Sequence, residues 1–92
     1  MPPVTAVPLV TARLVALRER SPAAYQAVLA RIRLIRSDPA HPRARGASLK
    51  SPQGPVVHAV AVVVPDLVVR LAWVLVGDEI RLLSLEYDGM EG

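Results

Sequence analysis

The chain has 92 residues, 52% of them hydrophobic, with no cysteine, no phenylalanine and a formal charge of +3. That length supports one small core; disulfides and thiolate metal sites are excluded, and His41 and His58 are too few to form a metal cluster. Residues 1–50 carry nine basic and two acidic side chains, whereas beyond them Arg70 and Arg81 face six carboxylates, so an anionic partner would meet the first half of the chain. The N-terminus lacks a basic leader region, and the later apolar runs are about half the ~20 residues a membrane-spanning helix needs. The expectation is a cytoplasmic protein with no membrane partner, forming a single domain over residues 1–92.

In chain order, Val4–Val10 reads as a short strand that Pro8 would confine to a sheet edge. Thr11 is a cap residue for a first helix running to about Arg20, with Leu14 and Leu17 on one face. Ser21-Pro22 signals a second start, a cap followed by proline at the first helical position. The helix to about Ser37 then sets Tyr25, Val28, Leu29, Ile32 and Ile35 at helical spacing, with Arg31 and Arg33 pointing to solvent, and Asp38-Pro39 stops it. The tight junction predicts an antiparallel helical hairpin over about 11–37. Residues 39–54, with their Pro and Gly and with Arg43, Arg45 and Lys50, read as a basic loop.

Three apolar runs follow, Pro55–Val64, Leu67–Val76 and Glu79–Tyr87, separated by the turn dipeptides Pro65-Asp66 and Gly77-Asp78. They predict an antiparallel meander over 55–87. Two-residue turns would set Ala61 opposite Arg70, and Arg70 opposite Leu85. One face then carries Val60, Val62, Val69, Leu71, Trp73, Leu75, Ile80 and Leu82, with His58 beside Trp73, and receives the helices. The other carries Val57, Ala59, Ala61, Val63, Val68, Arg70, Ala72, Val74, Arg81, Leu83, Leu85 and Tyr87. A solvated sheet face normally alternates towards polar side chains; this one is mostly apolar, which implies a partner surface. The fold class expected is α+β: a short N-terminal strand and a two-helix hairpin packed on a three- to four-stranded antiparallel sheet.

This element order, and above all the segment Val69-Arg70-Leu71-Ala72-Trp73-Val74-Leu75-Val76-Gly77-Asp78-Glu79, resembles the RelE/ParE toxin superfamily, especially its YoeB-like members. Gly46-Ala47-Ser48-Leu49-Lys50 is similar to the Gly-x-x-Leu-Lys segment of that family's linker. The resemblance implies the toxin of a type II toxin–antitoxin system, an endoribonuclease (mRNA interferase) that inhibits translation by cleaving mRNA on the ribosome. A cognate antitoxin would neutralise it, and a homodimer is a further way to cover the apolar face. No cofactor is implied.

Such cleavage activates a ribose 2′-hydroxyl, stabilises an anionic phosphorane and protonates the leaving oxygen. On the resemblance, Arg70 is the phosphate anchor and Tyr87 the proton donor; from the residues themselves, His58 is a candidate general base, and Arg43, Arg45, Lys50 and Arg81 would track RNA. Each has a plainer alternative. Arg70 can be a sheet arginine paired with a carboxylate, Tyr87 an edge aromatic, His58 a satisfied core imidazole, and the linker cations a solvated loop. The family pattern also breaks in places. Glu86-Tyr87-Asp88 stands where YoeB-like toxins place a basic residue, Tyr and His, and Ala47 falls near the position of their catalytic glutamate. His58 and Val60 occupy the strand where other members carry lysines. Acidic groups beside a scissile phosphate repel it. The alternative is therefore a non-catalytic, toxin-like module that acts only through protein–protein association.

Overall fold

Proline placement shapes the first half of the chain. In the computed structural model, which describes residues 2–50, 52, 54–65 and 67–88, strand β1 (Val4–Ala6) runs directly into helix α1 (Pro8–Arg20). Pro8 sits in the first helical turn, where its missing N–H costs no hydrogen bond. The helix therefore begins upstream of the Thr11 cap expected from the sequence, and Pro8 opens it instead of interrupting a strand. Helix α2 (Pro22–Ser37) starts as read: Ser21 Oγ accepts the Ala24 N–H at 3.2 Å. At its other end the Asp38 N–H bonds the Leu34 carbonyl at 2.8 Å.

The segment expected as a loop is partly ordered into elements. A single-turn helix α3 (Pro42–Arg45) is capped by His41, whose Nδ1 accepts the Arg43 N–H at 3.0 Å. Strand β2 (Ala47–Leu49) follows at once. Gly46 makes the junction possible, with φ 54° and ψ −126°, and a β-carbon there would meet the Ala59 carbonyl. The linker thus crosses over the edge of the next strand at a distance only glycine permits.

The meander comprises β3 (Val57–Val64), β4 (Leu67–Val76) and β5 (Glu79–Tyr87). The complete sheet has five strands in the order β1-β5-β4-β3-β2, antiparallel except for β1, which runs parallel to β5. The α+β class expected from sequence is the one found; two edge strands complete a mixed sheet wider than the meander alone. Asp66 lies outside the described residues, but Val64 pairs with Leu67 as the Pro65-Asp66 turn requires. At the second hairpin Gly77 has φ 63° and Asp78 a negative φ, the signs of a type II′ turn.

One register expectation fails. Ala61 does oppose Arg70, but Arg70 opposes Glu86, not Leu85. A β-bulge shifts the β4–β5 register between Ala72 and Trp73: Trp73 pairs with Leu82 and Ala72 with Ser84, leaving Leu83 as the extra residue. One inserted residue reverses the facing of everything beyond it. Leu85 and Tyr87, expected on the open face, are therefore turned into the core at 0% and 6% exposure. Leu75 departs in the other direction and is exposed, because it lies past Val74, the last β4 residue with a β3 partner.

The core joins Val10, Leu17, Ala24, Val28 and Ile35 of the helices to one sheet face, where Val60, Val62, Val69, Leu71, Trp73, Ile80 and Leu82 lie as expected. Trp73 Nε1 donates to the Ala44 carbonyl at 2.7 Å, fastening α3 to the sheet. Beyond the end of β1, Arg13 Nη1 reaches from α1 to the Leu85 carbonyl at 3.1 Å, bonding a residue that β1 no longer flanks.

Two predictions follow from the bulge and the crossover. Leu85→Ala should destabilise the fold by about 3 kcal/mol, as core truncations do, and Leu83→Ala by less than about 1.5 kcal/mol. Equal costs in denaturant unfolding would contradict the bulge. Gly77→Ala meets only the left-handed penalty of ~1–2 kcal/mol, because nothing lies within 4 Å of its β-carbon. Gly46→Ala should cost clearly more, since its β-carbon collides with β3 backbone.

Candidate functional site

The open face of the sheet can be read row by row from its register. Thr5, Arg81, Val74, Val57 and Leu49 form one row; Ser84, Ala72, Ala59 and Ala47 the next; then Glu86, Arg70 and Ala61; then Val68 and Val63. Apart from Arg70, the side over β2, β3 and β4 is apolar, and Leu49 and Val63 are 63% and 71% exposed. The side over β5 and β1 is polar, because the bulge presents Ser84 and Glu86 where Leu85 and Tyr87 were expected. Val74 is buried on this face, outside the main core, between Arg81 and Val57 in its row.

Arg70 stands on this face, exposed, with Nη2 3.8 Å from Asp88 Oδ1. Both partners are largely in water, so the pair contributes little to stability. Arg81 donates Nε and Nη2 to Glu79 Oε2 at 3.2 and 2.9 Å, and Thr5 Oγ1 donates to the same oxygen at 3.1 Å. Those bonds hold the Glu79 carboxyl below its usual range. Two arginines thus meet three carboxylates here, Glu79, Glu86 and Asp88. The face is not an electropositive surface for a polyanion.

The other two catalytic candidates are elsewhere. Tyr87 lies on the helix-covered side, with the Arg20 guanidinium 5.9 Å from its ring centre. His58 is also buried on that side, its ring centre 4.5 Å from that of Trp73, with Nδ1 2.8 Å from Ser48 Oγ. Burial lowers the His58 pKa, and the nearby Arg45 charge lowers it further, so the imidazole is held neutral at pH 7. His58 and Tyr87 oppose Trp73 and Val69, four positions apart on β4, or roughly 13 Å along the strand. Arg70 projects from the opposite face. No single phosphate can touch all three.

The RNA-tracking candidates also divide. Arg43, Arg45 and Lys50 cluster around α3 and β2, where Arg45 Nε donates to the Pro39 carbonyl at 3.3 Å. Arg81 is three strands away, about 14 Å across the sheet. Among the described residues no group of three or more His, Asp or Glu side chains is placed to hold a metal, and no helix is long and apolar enough to cross a membrane.

Two residues matter more than the sequence reading allowed. Ser48, directly across from His58 on β2, supplies the imidazole's hydroxyl partner. Arg31, expected in solvent, is partly buried and donates Nη1 to the Arg43 carbonyl at 3.2 Å. Burial and then the Arg43 charge lower its pKa. The signal was present: Arg31 is three residues after Val28 and four before Ile35, which places it beside the buried stripe.

With its folded pKa depressed, His58 remains neutral in the fold while the unfolded chain takes up a proton below its ordinary pKa of about 6.5. Folding stability should therefore fall as pH drops from 6.5 to the folded pKa and level off below it. His58→Gln should flatten that dependence, and Arg45→Ala should raise the His58 pKa in an NMR titration; a His58 pKa at or above 6.5 would contradict this geometry. Compared with family models, curated proteins and solved structures, the chain finds no match.

Proposed function

We propose that this protein is a toxin-like member of a type II toxin–antitoxin module, on a RelE/ParE-like scaffold, that acts through protein–protein association. The observation that carries this reading is the uncovered apolar surface over β2, β3 and β4, where Leu49, Val63 and Val76 are exposed while both long helices pack on the opposite face. Exposed apolar side chains gathered on one face of a sheet mark an interaction site. An antitoxin segment laid across it would remove those side chains from water, at ~25 cal/mol per Å² of apolar area. The mixed charges beside it suit a protein partner better than a nucleic acid, which requires net positive charge.

The second reading is ribosome-dependent mRNA cleavage, and Arg70 favours it. Its guanidinium is exposed beside an apolar surface and held, among the described residues, only by the 3.8 Å pair with Asp88, so it can approach a phosphate and stabilise a developing phosphorane charge. Against it stand the neighbouring Glu86 and Asp88 and the separation of Tyr87 and His58 from Arg70. Tyr87 and His58 lie on the other face, so cleavage would require the carboxylates of Glu86 or Asp88, the ribosome or the RNA to supply the proton transfers.

Inducible expression of the chain alone in a bacterium distinguishes the two. Association predicts that growth and mRNA integrity respond identically to the wild type and to Arg70→Ala. It also predicts that the isolated protein self-associates at high concentration and becomes monodisperse when co-expressed with a small protein encoded beside it. Cleavage of ribosome-bound mRNA that disappears in Arg70→Ala would replace the first reading with the second. A stable monomer at millimolar concentration in gel filtration with light scattering would remove the basis of the association reading.

A further inference from the structure

Strand β3 is covered unequally along its outer edge. Its first three residues pair with β2, at Val57, His58 and Ala59, and Gly46 bridges to Ala59. From Val60 to Val64, among the described residues, β3 has a strand partner only on its β4 side. Every second residue of such a stretch presents an unpaired N–H and C=O outward, a template for another strand.

Beside this edge lies a cleft of about 330 Å³, lined by Ala27, Ala30, Arg31 and Leu34 of α2, Arg43 of α3, and Val62 and Val63 of β3. It has two properties that together define an occupant. The walls are otherwise apolar, with Ala30 and Val63 exposed. Arg31 and Arg43 both line it, with no carboxylate among the lining residues; Arg31 Nη1 bonds the Arg43 carbonyl, and the Arg43 charge adds to burial in lowering the Arg31 pKa. Neither arginine forms a salt bridge among the described residues. An occupant that brings a carboxylate offsets that charge, and one that brings apolar side chains fills the walls.

We propose that the cleft and the open stretch of β3 together bind an extended, acidic peptide segment of a partner protein, which adds to the sheet as a strand beside Val60–Val64 with its carboxylate between Arg31 and Arg43. The size suits a strand. The volume is near the lower limit of ligand pockets and accommodates a few side chains, whereas a helix is ~10 Å across. A second copy of this chain is disfavoured, because its own β3 edge would bring further Arg31 and Arg43 charges in place of carboxylates. A single-stranded nucleic acid is disfavoured as well, since the cleft has no aromatic wall on which to stack a base. The site lies at the sheet edge, sharing Val63 with the open face, and the inference stands whether or not the toxin–antitoxin reading does.

The test uses the full chain labelled with nitrogen-15 and a nine-residue peptide of alternating valine and glutamate. Saturable shifts should centre on the amides of Val60–Val64, with slowed hydrogen exchange in that stretch. The matching valine–lysine peptide should bind at least tenfold more weakly. Arg31→Glu combined with Arg43→Glu should reverse that preference, and Arg43→Glu alone, on the exposed α3, should reduce it if the double variant fails to fold. Arg70→Glu, on the other face, should leave it unchanged. The proposal is overturned by absence of saturation at millimolar peptide, by equal binding of both peptides, or by shifts that map to the open face. Displacement of the peptide by a ten-nucleotide RNA or by inorganic phosphate would overturn it in favour of a phosphate site.

Discussion

Two helices can cover only one face of a five-stranded sheet. The four gaps between adjacent strands span about 19 Å, and two packed helices are about 20 Å wide. The hairpin of α1 and α2 therefore completes one layer, and among the described residues no long helix lies on the other. Hydrophobic packing on that single interface organises the whole molecule: it fixes which strand residues are buried, orients Trp73 towards Ala44, and holds α3 and β2 against β3. The apolar groups remaining on the reverse side follow from the same constraint, since a meander of this composition has more valine and leucine than one helical layer can shelter.

The bulge at Leu83 modifies that picture in a way that bears on function. Without it, Leu85 and Tyr87 would lie beside Arg70, giving an arginine and a tyrosine on one exposed surface. With it, both side chains enter the core, and Glu86 takes the place next to the arginine. The same shift divides the open face into an apolar portion over β2 to β4 and a polar portion over β5 and β1. One residue of register thus converts an arrangement suited to phosphate chemistry into a mixed-charge border around an apolar patch.

The basic charge of the first half of the chain is also used unevenly. Arg13 satisfies a strand carbonyl, Arg20 lies over Tyr87, and Arg45 bonds the linker backbone while its charge helps keep His58 neutral. These are structural tasks for guanidinium groups, whose planar donors reach backbone acceptors that shorter side chains cannot. Arg31 and Arg43 differ, converging at a cleft without a counter-charge, and it is there that the positive half of the chain most plainly addresses something outside itself.

Local chemistry determined much of this fold from the sequence alone. Ser21-Pro22, Asp38-Pro39 and Gly77-Asp78 act within a few residues through capping, fixed φ and turn geometry, so the second helix and the meander were legible, as was the inward face through Trp73. The fold class followed from their order. What the sequence could not convey depends on distant partners. Edge strands as short as Val4–Ala6 and Ala47–Leu49 have no intrinsic stability and exist only because β5 and β3 offer a ladder, so local sequence overextends the first and reads as loop at the second. The bulge depends on how β5 fits between α1, β1 and β4, and no local signal marks Leu83 as the extra residue. The placement of Arg70, His58 and Tyr87 relative to one another was consequently a tertiary decision, because the facing of a side chain in a sheet depends on counting residues through every irregularity between it and its neighbours.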